Sequence, residues 1–362
     1  MNYLPRYKEL KVNVLSNVFS KTTSSYKYLF FMSLLELIRD NGFDIKKAIS
    51  FNDIAKNMLV NAWYPHTFFR LSFGKQDQIG QVLDGLNIQS KAHNKDSLLK
   101  EFEKNHIGYQ LLRYVPYRFL RPFFIQLRGI PDSKLNIDRE IFLLATEKFE
   151  EVKPLYRFVE SRDALFIHPE WMEYIRVNYT ILEGWVAWNW LGYMQRKNPN
   201  VPALAKKLFP VIRREPLTAQ TKYWRTVSQY IQIRCIYSDE IVTKINLDHY
   251  LPWSFIVHNH LWNLVPVTKE ANSQKSNLLP SSIYFDKFVE LQYQGLVVTH
   301  KNLPFSKWQK YVEPYIVDLR LKDDSDLLNY KRINKAYSEV MEPLRTLAAG
   351  QGFLDGWVYR YS

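Results

Sequence analysis

Residues 245–277 read "INLDHYLPWSFIVHNHLWNLVPVTKEANSQKSN", and the pattern changes twice within them. The run "IVTKINLDHYLP" (241–252) alternates in the manner of a strand, and "NLVPV" (263–267) is a second short strand. "TKEANSQKSN" (268–277) suits one or two helical turns, with Thr268 placed as N-cap. Strand, loop, strand and helix therefore follow one another in under about 40 residues. A unit this small builds a site rather than a large core.

The flanks have a different period. "SYKYLFFMSLLELIRDNGF" (25–43) repeats apolar residues at three and four spacing, with Ser24 and Ser25 ahead as caps and "DNG" as a stop. Ser50 heads a second helix, "SFNDIAKNMLVNAWY", and 96–115 holds a third. Residues 136–165 read as a short strand and then a helix, and 168–202 as one or two buried helices ended by "NPNVP". Beyond residue 285 the period is helical again, with Gly350 as the expected stop of the last long helix. Scarce glycine argues against an all-β chain of tight turns. The expected fold is mainly α with a small α+β insert. Its expected parts are residues 1–225 (a mainly helical recognition and regulatory region), 226–285 (the ββα unit) and 286–362 (C-terminal helices packed on the rest).

The formal net charge of +13 favours a polyanion partner, nucleic acid or an anionic membrane surface. The stretch 113–135 interleaves Arg113, Arg118, Arg121 and Arg128 with Tyr and Phe. Packed aromatics with snorkelling arginines are the favoured reading there. Arg213, Arg214, Lys222 and Arg225 form a basic run just before the insert, read either as a solvated face or as a phosphate-contacting approach. A single cysteine, Cys235, excludes an internal disulfide and a four-cysteine zinc knuckle, and fits a reducing compartment. No signal peptide and no run long enough to span a bilayer are seen, so a cytoplasmic protein with no membrane partner is expected. Neither GxxxxGK[ST] nor GxGxxG occurs. An energy-dependent step would need a protein partner supplying ATPase or sensing functions.

Four features of the insert occur in order: "CIYSDEI" (235–241), "LDHYLPWSF" (247–255), "WNLVPV" (262–267) and "EANSQKSNLLP" (270–280). Together they resemble the HNH endonuclease family, and within it the branch that includes the HNH domain of CRISPR effector nucleases. "CIYSDEI" departs from the family's Cys-x-Tyr-Ser/Thr-Gly by having Asp239 for Gly. The resemblance covers about 50 of 362 residues. It implies a ββα-metal fold and hydrolysis of phosphodiester bonds, DNA being the expected substrate, leaving a 5′-phosphate and a 3′-hydroxyl.

The chemistry of these residue types agrees. A neutral imidazole takes a proton from water near pH 7, the part expected of His249. A divalent cation, Mg²⁺ or another such as Mn²⁺, suits the oxygens of Asp248 and Asn272. The resemblance implies that Asn263 holds the loop and helps place the base. Lys275 shares a helix face with Asn272, and it is expected to steady a phosphate along with Arg213 and Arg214. Adjacent strand residues point to opposite faces, so an irregular backbone is expected at Asp248–His249. The literal His258-Asn259-His260 falls in the loop, with no cysteine or carboxylate beside it in sequence, and reads as a neighbour of the site. A rival reading is a non-cleaving nucleic-acid-binding scaffold with a vestigial unit. Another is an RNA-directed nuclease using the same residues. Defence against phage or mobile elements is an expectation from family analogy alone.

Overall fold

The computed structural model describes residues 4–86, 95–104, 109–131, 136–209 and 215–361. The chain divides into two compact units, residues 1–199 and 200–362. Residues 200–225, grouped by sequence with the N-terminal region, belong to the second unit together with the insert and the C-terminal helices.

In the first unit, helix α1 (Tyr26–Asp40) buries Leu29, Phe30, Leu34, Leu35 and Ile38, the stripe that its three-and-four spacing dictates. It ends at "DNG", where Gly42 takes a positive φ of 67°. A two-residue strand β1 (Ile49–Ser50) leads into α2 (Phe51–Trp63), whose Asp53 N–H donates to Ser50 Oγ at 3.0 Å. The cap read from sequence is thus in place. Residues 136–165 reverse the expected order. Helix α3 (Ile137–Glu147) comes first, capped by Asn136, and strands β2 (Tyr156–Phe158) and β3 (Ala164–Ile167) follow. The sheet is antiparallel in the order β1-β3-β2. Asn136 as an N-cap was the missed helix start. Helix α4 (Pro169–Lys197) has one non-helical residue, Asn178, so it is nearly two helices. Phe119, Phe123 and Phe124 are buried, and Arg113 and Arg118 lie over the Tyr114 ring. The basic-aromatic stretch therefore packs as the favoured reading had it.

The second unit opens with α5 (Leu204–Leu208) and α6 (Thr218–Ser228). Strand β4 (Asn246–His249) pairs antiparallel with β5 (Leu264–Val267). A short helix α7 (Trp253–Ile256) lies in the connection, and α8 (Lys269–Lys275) follows β5. Helices α9 (Phe285–Asn302), α10 (Phe305–Asp318) and α11 (Tyr330–Gly350) complete the unit. All four residues of β5 are buried. Beneath it the buried Gln292 of α9 donates to the Leu264 carbonyl at 2.9 Å and the Leu261 carbonyl at 3.2 Å. The Tyr315 hydroxyl of α10 donates to Gln292 Oε1 at 2.6 Å, which fixes that amide. The C-terminal helices are thus the floor on which the two-stranded sheet rests. Helix α11 runs through Gly350, and it is Gly352, at φ 91°, that turns the chain. No described helix is long and apolar enough to cross a membrane.

Lys207 on α5 is fully buried, with its ammonium 5.2 Å from the Phe255 ring centroid and no hydrogen-bond partner among the described residues. Burial pushes its pKa down to about 7. Between about pH 7 and its ordinary pKa the unfolded chain holds the proton that the folded chain has released, so stability rises with pH there. A gain of roughly 2 kcal/mol from pH 7 to 9 is expected. Urea titrations at both pH values measure it, and Lys207→Met is expected to remove this pH dependence.

Candidate active site

The site begins with a turn. Cys235 N–H donates to the Glu240 carbonyl at 2.8 Å, and Asp239 N–H to the Cys235 carbonyl at 2.9 Å. Asp239 sits at φ 62°, a left-handed conformation that glycine adopts freely and aspartate tolerates. The residue departing from the family pattern thus occupies the position where a glycine has a physical reason to be. The turn aims Tyr237 inward, and its hydroxyl donates to Asp248 Oδ2 at 2.8 Å.

Asp248 is 3% exposed. Its carboxylate pairs with Lys275 Nζ, 3.0 Å away on α8. The Lys275 ammonium, wholly buried, also donates to the His249 carbonyl at 2.7 Å. Burial raises the Asp248 carboxyl and lowers the Lys275 ammonium, and their mutual attraction opposes both shifts. The Tyr237 phenol is pushed well above its ordinary range by burial and by the neighbouring carboxylate. Lys275, expected to meet a phosphate, is instead turned into the protein, where it fixes Asp248 and the end of β4.

The β4–β5 register runs without interruption through Asp248↔Val265 and His249↔Leu264, so no bulge interrupts the pairing at this dipeptide. The two side chains nevertheless line one cavity, with His249 the last residue of β4. The cavity, about 340 Å³, is lined among others by Asp248, His249, Asn259, Asn272 and Ser276. His249, Asp248 and Asn272 are therefore brought together. Asn263 stands apart in role. It is fully buried, accepts from Leu251 N–H at 2.8 Å and donates to the Leu251 carbonyl at 2.9 Å. It clasps the start of the loop to its end. The contact to the His249 ring comes from a residue not foreseen: Asn259 Oδ1 lies 3.0 Å from His249 Nε2. Tyr237 was also missed as a partner of Asp248, although it lies within the quoted "CIYSDEI". Arg213 and Arg214 lie outside the described residues.

The donor set fits a hard divalent cation. Asn272 Nδ2 donates to Asn246 Oδ1 at 3.0 Å and to the Leu247 carbonyl at 3.3 Å, which leaves Oδ1 as the side of the amide for a cation. Asp248 Oδ2 takes the Tyr237 hydroxyl at 2.8 Å and faces Lys275 at 3.0 Å, and Oδ1 takes Lys275 at 3.1 Å, which leaves Oδ1 as the carboxylate oxygen for a cation. Two protein oxygens with water and a phosphate elsewhere suit Mg²⁺. Lys275 already offsets the Asp248 charge, which weakens the hold on a cation in the absence of substrate phosphate.

A second group of ligating atoms lies in the loop. His258 and His260 stack at 4.2 Å, and ligand atoms of His258, His260 and Asp318 lie within 4.8 Å of one another. Asp318 ends α10, far from the loop in sequence. Its Oδ2 takes His260 Nδ1 and Trp262 Nε1, each at 2.5 Å. Burial and the neighbouring His260 push His258 down to about 3, so it is neutral. The carboxylate that the loop lacks in sequence is thus supplied by tertiary structure. These residues could hold a metal, and they staple the loop without one.

No curated protein and no solved structure matches this chain. Residues 231–281 match the HNH endonuclease family, and this match, to a segment of the chain, points to a nuclease with a nucleic-acid partner.

Proposed function

We propose that the protein is a metal-dependent endonuclease that hydrolyses phosphodiester bonds of DNA. The observation that carries the reading is the convergence of His249, Asp248 and Asn272 on one cavity. Asp248 and Asn272 are the residues that would hold Mg²⁺ or Mn²⁺. When bound, the ion supplies charge stabilisation at phosphorus and at the leaving 3′ oxygen. His249 accepts the proton of the attacking water, and a 5′-phosphate and a 3′-hydroxyl result. Lys275 and Tyr237 hold the Asp248 carboxylate in place, and Asn263 keeps the loop closed over the end of β4. A vestigial unit is disfavoured because base and oxygen ligands remain complete and share a cavity. Residues 1–199 are assigned to recognition and regulation and the second unit to cleavage, with 226–285 as its catalytic part and 286–362 packed on it. A protein partner that senses or hydrolyses ATP, and a role in defence against phage, are proposals on the analogy of the family.

A groove of about 500 Å³ on α6 supports a path for the substrate. It is lined by Thr218, Thr221, Lys222 and Arg225, and by Leu217, which also lines the cavity of His249. Lys222 and Arg225 are exposed and form no ion pair among the described residues. Each phosphate neutralised steepens the salt dependence of duplex binding by about 0.9. The double variant Lys222→Ala, Arg225→Ala is therefore expected to flatten the log K against log salt slope by about 1–2. Fluorescence anisotropy with a duplex oligonucleotide measures it.

Supercoiled plasmid and single-stranded RNA, each with Mg²⁺ and with EDTA, test the activity. Nicking of plasmid with Mg²⁺ alone is expected. Cleavage of RNA only would move the substrate to RNA, and binding without cleavage under Mg²⁺ and Mn²⁺ would sink the enzyme. Line broadening by Mn²⁺ locates the ion. Broadening at His258 and His260, with none at Asp248 and Asn272, would overturn the ligand assignment.

A further inference from the structure

We infer that Asn259 is the positioning residue of His249: its side-chain oxygen selects the imidazole tautomer with the hydrogen on Nε2 and the lone pair on Nδ1. The inference rests on His249 being the base and adds a residue that the four sequence features do not contain.

Asn259 Oδ1 lies 3.0 Å from His249 Nε2, and an amide oxygen can only accept. Nε2 must then carry the hydrogen. In the neutral ring the lone pair is on Nδ1. The amide's own orientation is set independently. Asn259 Nδ2 donates to the Glu215 carbonyl at 3.3 Å, and reversing the amide would set oxygen against oxygen there.

The backbone of Asn259 is held as well. Gln220 Nε2, from α6, donates to its carbonyl at 2.8 Å. On either side the chain is anchored, His258 by stacking on His260 and His260 by Asp318. A loop residue fixed at so many points presents its oxygen in one place. From the other end, the His249 backbone is gripped at its carbonyl by Lys275. Ring and main chain are thus placed by different residues. Asn263, the residue that the resemblance assigns to placing the base, reaches Leu251 rather than the ring. In this chain the two tasks are divided: Asn263 closes the loop, and Asn259 turns the base.

The test uses the full chain with ¹⁵N-labelled histidine. Long-range ¹H–¹⁵N spectra at pH 8 report the tautomer of each ring, and the His249 signals are identified by their loss in His249→Ala. The wild type is expected to show His249 as the Nε2–H form. Asn259→Ala is expected to mix the tautomers and lower kcat for plasmid nicking by roughly 10- to 100-fold, with KM changed by less than about threefold. Asn259→Asp keeps the acceptor and loses the donor to Glu215. It is expected to keep the wild-type tautomer and a kcat within about fivefold of wild type. A purely structural role predicts the reverse, with the Asp variant as impaired as the Ala variant. That result, or an unchanged His249 tautomer in Asn259→Ala, overturns the inference. The spectra need no cleavage, so they decide the tautomer even if the wild type proves inactive, an outcome that would count against the nuclease reading alone. Gln220→Ala removes only the grip on the Asn259 backbone and is expected to leave the tautomer as it is.

Discussion

His249→Ala is expected to lose plasmid nicking by about 10²–10⁴-fold while the protein stays folded, because a positioned general base contributes that much to proton transfer. The fold should survive for reasons visible in the site. The ring is half-buried and opens on the cavity, so its removal leaves water-accessible space rather than a sealed void. The backbone of residue 249 stays paired with Leu264, and its carbonyl still accepts from Lys275. Circular dichroism and thermal melting, run beside the nicking assay, separate loss of chemistry from loss of structure. His258→Ala and His260→Ala provide the contrast. Their rings hold the loop and Asp318, so an effect of less than about tenfold, acting through loop position, is expected. If His258→Ala or His260→Ala abolished nicking and His249→Ala did not, the assignment of the base would be wrong.

The difference between these histidines shows what the sequence could and could not convey. The family's order of residues lies along the chain, and so do the local rules. Thr268 caps α8 and Ser50 caps α2 because an N-cap is a contact over three residues. Long-range contacts carry no such signature. Asp318 meets His260 across 58 positions, and Lys275 meets Asp248 across 27. The pairing of Lys275 with Asp248 turned an expected phosphate ligand into a buried support. Asn259 illustrates the same limit at short range. Its distance of ten residues from His249 is small, yet only the closed loop brings the amide to the ring. The bulge expected at Asp248–His249 is absent, since both residues stay paired with β5 and Tyr250 N–H still donates to the Asn263 carbonyl at 2.8 Å.

Lys275→Met should be the most destabilising single change in the unit, by about 3–5 kcal/mol, because it leaves a buried carboxylate without its counter-ion. Asp248 would retain the Tyr237 hydroxyl, and burial would then drive its carboxyl upward without the ammonium that now opposes the shift. The His249 carbonyl would lose its donor at the same time. Methionine nearly matches the lysine stem in length, so the loss measures charge and hydrogen bonding rather than a cavity. Asp248→Asn alone is expected to be destabilising too, since it strands a buried ammonium. The double variant Asp248→Asn, Lys275→Met should be less unstable than the sum of the singles by at least about 1 kcal/mol, the signature of residues that share one network. Urea midpoints at pH 7 give all four corners of the cycle. Additive losses would mean that the pair is not coupled in solution, and that Lys275 serves Asp248 only as a neighbour. Coupling together with lost nicking in Asp248→Asn would assign the carboxylate both tasks, cation ligand and partner of a buried lysine.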